Sequence, residues 1–361
     1  MIAIHQFVPT LSPHDAIGRH TLQLRSVLRG LGLASDIFTA EVHDDLTRDA
    51  RPYDTFEPGP GRTWLLYQAS TGSPVAEFVT ARPEPKLLDY HNVTPPAFFN
   101  GWDPEHRVRL STGLTQVAAL ARAVDLAFAH SVFNAADLHG WGCHRAVVAP
   151  VLVDRAHLVE DPDPATLESL AGTKARGGSD WLFIGRLAPN KAQHDLVKAL
   201  AAYRRAYDPA ARLHLVGEAA SESYRATLVR FIDAVGLAGA VRLHGLVSPA
   251  ALAAFYRTAD VFVCVSEHEG FCVPLFEAMH HRVPIVAHAA GAVPETVGEA
   301  AVLLDVKDPA TVAAAVARVL RDGDLREHLV AAGSARATEF DPSRARCLYE
   351  ASVRCLLEER P

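Results

Sequence analysis

Strand-like and helix-like segments alternate along nearly the whole chain, and this alternation constrains the fold more than any other feature of the sequence. Short apolar runs rich in Val, Ile, Leu and Ala are each followed by a stretch with helical periodicity. Strands joined by helices run parallel, so the pattern predicts parallel sheets with helices on both faces. A chain of 361 residues is long enough for two such domains, each with its own core.

The predicted elements are spread evenly over the two halves of the chain. In the first half we predict strands at 2–8, 34–39, 63–68, 86–90, 126–129 and 146–149, and helices most clearly at 19–31 and 110–123. In the second half we predict strands at 180–184, 212–216, 241–244, 261–265, 283–287 and 301–304. Helices are predicted between them at 192–207, 221–235, 249–258, 274–281, 293–297 and 309–322.

The segment 150–179 is charged and rich in Pro and Gly, unlike the sequence on either side of it. Such a change in composition indicates a domain boundary. We therefore place one domain at residues 1–155 and the other at 156–340. A terminal amphipathic segment begins at Asp341-Pro-Ser and runs to Glu359.

Residues 266–277 read Ser-Glu-His-Glu-Gly-Phe-Cys-Val-Pro-Leu-Phe-Glu. Glu269 lies on the predicted loop after strand 261–265, and Glu277 lies about one turn into helix 274–281. Pro274 suits the first turn of a helix, where a missing N–H costs nothing. The two carboxylates therefore flank the N–H groups of a helix start, which form a ready anion site. Two solvated acids near a helix start would give the same pattern, because acids are favoured there.

This segment resembles the E-x7-E signature of the family 4 glycosyltransferases, retaining enzymes with the GT-B fold. Other blocks match the family in order: Trp181-Leu-Phe-Ile-Gly-Arg-Leu187 with Lys191, Leu213-His-Leu-Val-Gly217, Val241-Arg-Leu-His-Gly-Leu-Val247 and Ala289-Ala-Gly-Ala-Val-Pro-Glu295. The N-terminal half matches more loosely, chiefly through Tyr90-His-Asn-Val-Thr-Pro95. The resemblance implies two Rossmann-like, doubly wound parallel-sheet domains facing a central cleft. It also implies that the terminal segment, about 341–361, packs back on the first domain.

Gly185 ends a predicted strand and allows a ligand to approach the backbone closely. Arg186 follows it, and Lys191 lies near the start of the next helix. Two cations beside a helix start can stabilise the negative charge that grows on a departing diphosphate. In the alternative reading, Arg186 pairs with a surface acid and Lys191 has no role in binding.

The resemblance assigns roles to the residues that match the family's motifs. It implies that Arg186 and Lys191 bind the donor phosphates, that Glu277 binds the nucleotide ribose, and that Glu269 contacts the transferred sugar. The family usually has Gly where Cys272 stands. The implied donor site comprises Gly185, Arg186, Lys191, Gly217, Gly245, Leu246, Gly270, Phe271, Cys272, Val273, Leu275 and Glu277.

The first half is expected to supply the acceptor site and a catalytic imidazole. His91 follows a strand-like run, and the resemblance makes it the residue that contacts the donor sugar near its reacting carbon. A loop histidine that holds the following Pro turn is the alternative. Asn92 accompanies His91, and Asp15 and Gly18 lie after the first strand, where the family usually carries a Gly-Gly loop followed by His. The catalytic set we predict is Glu269, His91, Arg186 and Lys191.

We therefore predict a hexosyltransferase that moves a hexose-type sugar from a UDP- or GDP-sugar to a hydroxyl acceptor in polysaccharide, glycolipid or glycoside synthesis. We expect no cofactor and no metal, since the Asp-x-Asp patterns at Asp161/Asp163 and Asp322/Asp324 lie in turns rather than at strand ends. The alternatives are a relative with epimerase or phosphorylase chemistry and a non-catalytic nucleotide-sugar-binding scaffold. A nicotinamide-dependent dehydrogenase is disfavoured because no Gly-x-Gly-x-x-Gly follows a strand.

Composition and charge indicate which kinds of binding partner and which cellular location to expect. The net charge of −7 gives no basic footprint for nucleic acid. Five scattered cysteines without a Cys-x-x-Cys favour reduced thiols and a cytoplasmic protein. The start of the sequence lacks a charged leader region, and no apolar run approaches the ~20 residues of a membrane span. We expect at most weak peripheral membrane association. The sequence gives no indication of an oligomeric state.

Overall fold

The computed structural model describes residues 2–153 and 159–359. The predicted boundary between residues 155 and 156 lies outside the described residues. By its internal contacts the chain divides into two compact units. The first unit comprises Met1–Asn100, Pro104–Asp154 and Phe340–Pro361, and the second comprises Gly101–Asp103 and Arg155–Glu339.

Each unit is built on one parallel sheet. The strands of the first unit are β1 (Ile2–Leu11), β2 (Ile37–Val42), β3 (Ala50–Pro52), β4 (Arg62–Ala69), β5 (Lys86–Tyr90), β6 (Leu126–Ala129) and β7 (Ala146–Val148). Those of the second are β8 (Asp180–Ile184), β9 (Arg212–Val216), β10 (Val241–Gly245), β11 (Val261–Cys264), β12 (Ile285–His288) and β13 (Ala301–Leu304). All the strand pairs are parallel. The predicted fold class, two Rossmann-like α/β sheets, is confirmed.

Helices connect the strands in both units. In chain order they are α1 (Ala16–Gly30), α2 (Pro74–Ala81), α3 (Pro104–Ala121), α4 (Val132–Gly140), α5 (Pro164–Lys174), α6 (Gln193–Ala206), α7 (Glu222–Ala234), α8 (Pro249–Thr258), α9 (Val273–His280), α10 (Val293–Val297), α11 (Pro309–Arg321), α12 (Gly323–Glu339) and α13 (Pro342–Glu359). Short 3-10 turns occur at Asp44–Leu46, Tyr53–Thr55, Pro96–Phe99 and Pro189–Lys191. Within the described residues, no helix is both long and apolar enough to cross a membrane.

The strand order locates the ligand-binding edge of each sheet. The first sheet runs β3-β2-β1-β4-β5-β6-β7 and the second runs β10-β9-β8-β11-β12-β13. The order reverses direction between β1 and β4 in the first sheet and between β8 and β11 in the second. In doubly wound sheets, ligands bind outside the carboxyl ends of the strands at this switch point. The loops that follow β8 and β11 are therefore neighbours in space although they lie far apart in the sequence.

One face of the first sheet changes from apolar to polar along its strands. Helices α1 and α13 cover its apolar part, where Leu28 and Tyr349 pack among residues such as Ile4, Leu66 and Phe128. Two positions further along the same strands, and therefore on the same face, the residues are polar and fully buried. They are Gln6, Gln68 and Asp89. Successive strand residues point to opposite faces, so these polar side chains share the helix-covered face.

The structure contains elements that were not predicted from the sequence. Segment 150–179, predicted to hold the domain boundary, contains helix α5, for which no helix was predicted. Asp163 caps this helix by accepting a 2.8 Å hydrogen bond from the Thr166 N–H. Lys174 at its other end donates to the Thr258 carbonyl and to the Asp260 carboxylate, each at 2.7 Å. Strand β3 and helix α12 were also missed.

Candidate active site

An ion pair joins the two loops at the switch point of the second sheet. Lys191 lies on the loop after β8, and Glu269 lies on the loop after β11. Lys191 Nζ lies 2.6 Å from Glu269 Oε1, and the two side chains are 20% and 7% exposed. The structure therefore brings together two predicted site residues that are 78 positions apart in the chain.

Backbone hydrogen bonds hold the two loops against each other and fix the start of helix α6. The Glu267 N–H donates to the Asn190 carbonyl at 2.8 Å, which ties the loop after β11 to the loop after β8. Gln193 Nε2 donates to the Arg186 carbonyl at 2.9 Å. The Arg186 backbone is thus anchored, while its side chain is exposed. The arrangement leaves Arg186 Nη atoms accessible to an anion.

Three of the predicted donor-site glycines lie at the carboxyl ends of β8, β9 and β10. The Gly185 N–H donates to the Val216 carbonyl at 2.9 Å, and the Gly217 N–H donates to the Gly245 carbonyl at 2.8 Å. Gly217 has a φ of +139°, and a Cβ there would lie 2.3 Å from the Gly185 carbonyl oxygen. A side chain at Gly217 would therefore break the contact between the two turns. Leu246, just beyond Gly245, is 45% exposed.

The Glu269–Glu277 segment has the geometry that its sequence predicted. Helix α9 begins at Val273 with Pro274 in its first turn, and Cys272 before it adopts a left-handed conformation with φ of +70°. The Ala292 N–H donates to the Glu269 carbonyl at 2.9 Å. Thr296 Oγ1 donates to the Phe271 carbonyl at 2.6 Å. These bonds hold the loop from outside and leave the N–H groups of the first helical turn directed out of the helix.

Glu277 is buried and hydrogen-bonded inside the second unit. It is 3% exposed, and the Tyr256 hydroxyl donates to its Oε2 at 2.8 Å. Val273 and Leu275 on the same helix are also buried, and their side chains support the helix start. Of this set, the carboxylate of Glu277 and the backbone amides are the groups with chemistry for a ligand.

Electrostatics favour a positive charge on the loop after β8. Burial alone would lower the pKa of Lys191, but the Glu269 carboxylate outweighs it and the pKa is raised. The hydrogen bond to Cys264, together with burial, raises the pKa of the Cys272 thiol well above its usual value. Lys191 is therefore an ammonium and Cys272 a neutral thiol at neutral pH. A further cation, Lys307, lies 2.6 Å from Glu267.

In the first unit, two predicted site residues stabilise the start of helix α1. Asp15 is its N-cap, and its carboxylate accepts a 2.6 Å hydrogen bond from the Gly18 N–H. A Cβ on Gly18 would lie 1.8 Å from the Ser12 carbonyl oxygen, so glycine is required there by close packing. Both residues lie at the carboxyl end of β1, beside the switch point of the first sheet.

His91 and Asn92 follow β5. Nε2 of His91 lies 2.6 Å from Gln68 Oε1, and its ring is partly exposed. Asn92 has a φ of +76° and donates from Nδ2 to Asn134 Oδ1 at 2.9 Å. Asn92 thus turns the chain after β5, and His91 is the residue of this loop that stays partly exposed beside it.

The structure adds a buried polar cluster that the sequence analysis did not find. Asp89 Oδ2 lies 2.9 Å from His20 Nε2, and Asp89 Oδ1 lies 3.1 Å from His130 Nε2. The His91 ring lies 4.4 Å from that of His130 and 5.1 Å from that of His20, between centroids. Burial would raise the pKa of Asp89, but the two histidines hold it well below its usual range. The cluster therefore contains an ionised carboxylate.

A signal for this cluster is present in the sequence. Three polar residues occupy strand positions whose neighbours on the same face are apolar: Gln6, Gln68 and Asp89. A buried polar side chain needs a hydrogen-bonding partner. Its members can be paired only when the strand order β1-β4-β5-β6 is known.

Donor atoms for a metal ion occur in the cluster, but hydrogen bonding opposes their use. His20, Asp89, His91 and His130 offer ligand atoms that lie within 4.8 Å of one another. The Leu152 N–H donates to His20 Nδ1 at 3.0 Å, which leaves the proton of a neutral His20 on Nε2. A ring whose Nε2 carries a proton toward Asp89 has no lone pair for a metal there. Among the Asp-x-Asp residues, Asp163 and Asp322 act as helix caps.

Comparison with known proteins connects the second unit to one family. Residues 172–336 match the family described as Glycosyl transferases group 1. The D-inositol 3-phosphate glycosyltransferase of Thermomonospora curvata is 38% identical over 186 residues, which are 49% of this chain and 41% of that protein. The GDP-mannose-dependent alpha-(1-6)-phosphatidylinositol monomannoside mannosyltransferase of Mycobacterium tuberculosis is 34% identical over 182 residues, 48% of this chain and 46% of that protein. The chain spans about half the length of the curated relatives it matches.

Solved structures extend the likeness to the whole chain at the level of the fold. The structure of Anabaena HepE in complex with UDP-glucose superposes with a TM-score of 0.75 at 17% identity, over 98% of this chain and 99% of that one. The GT-B fold class expected from the sequence is thereby confirmed. Residues 172–336, which include Arg186, Lys191, Glu269 and Glu277, are thus the part of the chain that is similar to the group 1 glycosyl transferases.

Proposed function

We propose that this protein is a retaining glycosyltransferase that moves a hexose-type sugar from a UDP- or GDP-sugar to a hydroxyl acceptor. The observation that carries the proposal is the Lys191–Glu269 pair, at 2.6 Å, on the two loops of the switch point. In the proposed site, the Lys191 ammonium would bind the diphosphate and the Glu269 carboxylate beside it would accept hydrogen bonds from sugar hydroxyls. Such a pair fits a ligand that is both anionic and polyhydroxylated.

The donor would bind to the second unit. Arg186 and Lys191, with the N–H groups at the start of α9, would hold the diphosphate. Glu277 would accept hydrogen bonds from the ribose, and Glu269 would accept them from the transferred sugar. Lys191 and Arg186 would stabilise the charge that develops on the departing nucleoside diphosphate, which is the largest electrostatic change of the reaction. These two cations make a metal ion unnecessary for that step.

The first unit would bind the acceptor and contribute His91. Retention of anomeric configuration is expected from the family, with the leaving phosphate taking the acceptor's proton. The relatives suggest which acceptors to try first. One is named for D-inositol 3-phosphate and another for a phosphatidylinositol monomannoside, so inositol-containing alcohols are the acceptor class to test.

The names of the similar proteins also indicate which nucleotide-sugar donors to test. The Mycobacterium tuberculosis relative is named as GDP-mannose-dependent, and HepE was solved with UDP-glucose. Both nucleotides therefore belong in the first experiment.

A thermal-shift screen against UDP, GDP, ADP and NAD, alone and as their sugar conjugates, with magnesium or with EDTA, tests the donor site. A ligand at 100 times its dissociation constant should stabilise the protein by about 2.7 kcal/mol. We expect a shift with one nucleoside diphosphate that magnesium does not change. Glu277→Gln should abolish the shift. Glu222→Gln is the matched control, because Glu222 lies in the first turn of helix α7 and its side chain pairs with Arg225 on the surface.

Turnover of the identified donor, followed by release of the nucleoside diphosphate with inositol-type acceptors, then tests transfer. Arg186→Ala should reduce turnover strongly while the circular-dichroism spectrum is unchanged. A shift without turnover under any acceptor would favour a non-catalytic nucleotide-sugar-binding protein. Absence of any nucleotide-dependent shift would refute the proposal.

A further inference from the structure

A chain of buried hydrogen bonds runs from helix α1 through two strands to His91. Gln6 Nε2 donates to the Thr21 carbonyl at 3.0 Å. Gln68 Nε2 donates to Gln6 Oε1 at 2.9 Å. Nε2 of His91 lies 2.6 Å from Gln68 Oε1. Gln6, Thr21 and Gln68 are each 0% exposed, so water does not offer these groups alternative partners.

The direction of every bond in this chain is fixed by its first member. A backbone carbonyl can only accept, so the NH₂ group of Gln6 must face Thr21 and its oxygen must face Gln68. Gln68 must then present its NH₂ group to Gln6 and its oxygen to His91. An amide oxygen only accepts, so the ring atom in contact with it must carry a proton.

We propose that Gln6 and Gln68 are positioning residues that hold His91 as the Nε2–H tautomer, so that Nδ1 keeps its lone pair for a hydroxyl group of the substrate. Gln6 and Gln68 do not themselves contact the substrate in this proposal. They determine which nitrogen of the His91 ring carries the proton and which can accept a hydrogen bond. The inference concerns residues to which no role has been assigned, and its substrate part rests on the proposed function.

The groups around His91 favour a neutral ring. Burial lowers the pKa of His91 well below its usual value, and the neighbouring His130 adds to the effect while Asp89 opposes it. His20 on α1 also faces the ring, and its own proton is fixed on Nε2 by the Leu152 N–H. Asp89 is engaged by His20 and His130. His91 therefore depends on Gln68, and not on the carboxylate, for its orientation.

A neutral Nε2–H ring has one acceptor, Nδ1, and no positive charge. It suits a sugar or alcohol hydroxyl, which can donate to it, and it gives no electrostatic attraction to a phosphate. The phosphate-binding cations of the second unit, Arg186 and Lys191, have the opposite character. The tautomer thus assigns His91 to the polyol part of the substrates.

Nitrogen-15 spectroscopy of histidine-labelled protein tests the tautomer directly. Two-bond ¹H–¹⁵N correlations distinguish a protonated from an unprotonated ring nitrogen, and a His91→Asn sample assigns the signals. We expect His91 to show a protonated Nε2 that exchanges slowly with solvent, and an unprotonated Nδ1, at pH 7–8. His20 gives an internal reference in the same spectrum. A His91 ring protonated on Nδ1, or on both nitrogens, overturns the inference, whether or not the protein transfers sugar.

The double variant Gln6→Met/Gln68→Met tests the role of the chain. The double variant removes both partners of the Gln6–Gln68 hydrogen bond, so neither glutamine is left unpaired, while the Thr21 carbonyl and the His91 Nε2–H each lose one partner. The slowly exchanging His91 Nε2–H signal should be lost, while the His20 signals stay unchanged. If the His91 signals are also unchanged, the two glutamines do not position the ring.

Turnover with the identified donor, measured with and without His91, distinguishes a positioning role of the two glutamines from a purely structural one. The double variant should lower kcat on the order of 10–100-fold, the range found when groups that orient a metal-bound histidine are removed. The same two substitutions should have no further effect in a His91→Ala background, because they act only through that ring. Additive losses in this cycle would overturn the positioning role. If the protein proves to have no transferase activity, the spectroscopic result alone decides.

Discussion

In the second unit, an ion pair joins the loops at the switch point, whereas in the first unit neutral amides and an imidazole line the corresponding edge of the sheet. Lys191 and Glu269 bring opposite charges within 2.6 Å of each other. Gln6, Gln68 and His91 are instead joined by hydrogen bonds whose donors and acceptors are fixed. The two sheets share a topology, but the groups that join the switch-point loops differ: a charged pair in the second unit and an uncharged amide chain in the first.

The difference indicates a difference in how each edge responds to a ligand. A phosphate can compete with Glu269 for Lys191, so the ion pair can exchange partners when an anion arrives. The buried chain of Gln6 and Gln68 carries no charge that a ligand could displace. It holds the His91 ring in one orientation. We therefore expect the second unit to be sensitive to the loss of a charge and the first to be sensitive to shape and protonation.

The largest expected effect is on the stability of the second unit in Lys191→Met. The substitution leaves the carboxylate of Glu269, 7% exposed, without its cation. Breaking a buried pair on one side costs about 3–5 kcal/mol, and we expect a value near the lower end because Lys191 is itself partly exposed. Hydrogen exchange of the β8 and β11 amides measures the free energy of opening of this unit.

The double variant Lys191→Met/Glu269→Gln is the control, since it removes both charges and should recover most of the loss. Gln68→Met gives the comparison in the first unit. Leaving Gln6 Oε1 without its donor should cost about 1–3 kcal/mol. Equal losses in Lys191→Met and Gln68→Met would show that charge does not distinguish the two edges.

Two closely packed glycines, Gly18 after β1 and Gly217 after β9, give the next largest expected effect. Gly18→Ala places a Cβ 1.8 Å from the Ser12 carbonyl oxygen, and Gly217→Ala places one 2.3 Å from the Gly185 carbonyl oxygen. Each should destabilise its unit by about 1–3 kcal/mol through forced backbone shifts. Gly140→Ala is the matched control, because no atom lies within 4 Å of a Cβ there. Thermal melting of the three variants checks this, and a Gly18→Ala protein as stable as Gly140→Ala would contradict it.

Mild acid should destabilise the first unit through its buried histidines. Burial lowers the pKa of His20 and of His91 in the folded protein. Below the unfolded pKa of about 6.5 the unfolded chain binds protons that the folded chain does not, so stability falls as the pH decreases from 7 to 5.5, by about 1 kcal/mol for each such histidine. The Asp89 contribution is lost only below about pH 4, because its folded pKa is depressed.

The contrast lies in the ion pair of the second unit and not in its histidines, since burial also lowers the pKa of His194, His244 and His268 there. The pKa of Lys191 is raised above its usual value, so its charge does not change in this range. Hydrogen exchange in the β1, β4 and β5 amides at pH 7 and 5.5 measures the effect. His91→Gln should reduce the pH dependence, and an unchanged dependence would mean that His91 is not held neutral in the folded state.

The sequence predicted what depends on local pattern and missed what depends on strand order. Strand β5 and the Glu269–Glu277 loop can be read locally, because periodicity, Pro274 and the spacing of the acids lie within one segment. The Lys191–Glu269 contact requires knowing that β8 and β11 are neighbours. Helix α5 was missed because charged residues and Pro at its start suggested a linker. There, Asp163 and Pro164 are the cap and first turn of a helix.

The same reason explains the missed cluster. Gln6, Gln68 and His20 each look like isolated polar residues in the sequence, and only the order β1-β4-β5-β6 places them around Asp89 and His91. The roles assigned to the donor-site residues and to His91 stay predictions.

The smallest expected effect distinguishes two left-handed residues, Cys272 in the loop that carries Glu269 and Asn92 next to His91. Cys272 has φ of +70° and Asn92 has φ of +76°. Cys272→Gly relieves about 1 kcal/mol of strain at this conformation and loses about 0.8 kcal/mol of buried apolar contact, so the melting temperature should hardly change. Asn92→Gly relieves little, because Asn tolerates this conformation, and it loses the bond to Asn134, worth about 1 kcal/mol. Only Asn92→Gly should lower the melting temperature of the protein. Equal losses in the two variants would mean that Cys272, where the family usually has Gly, contributes packing that glycine cannot replace.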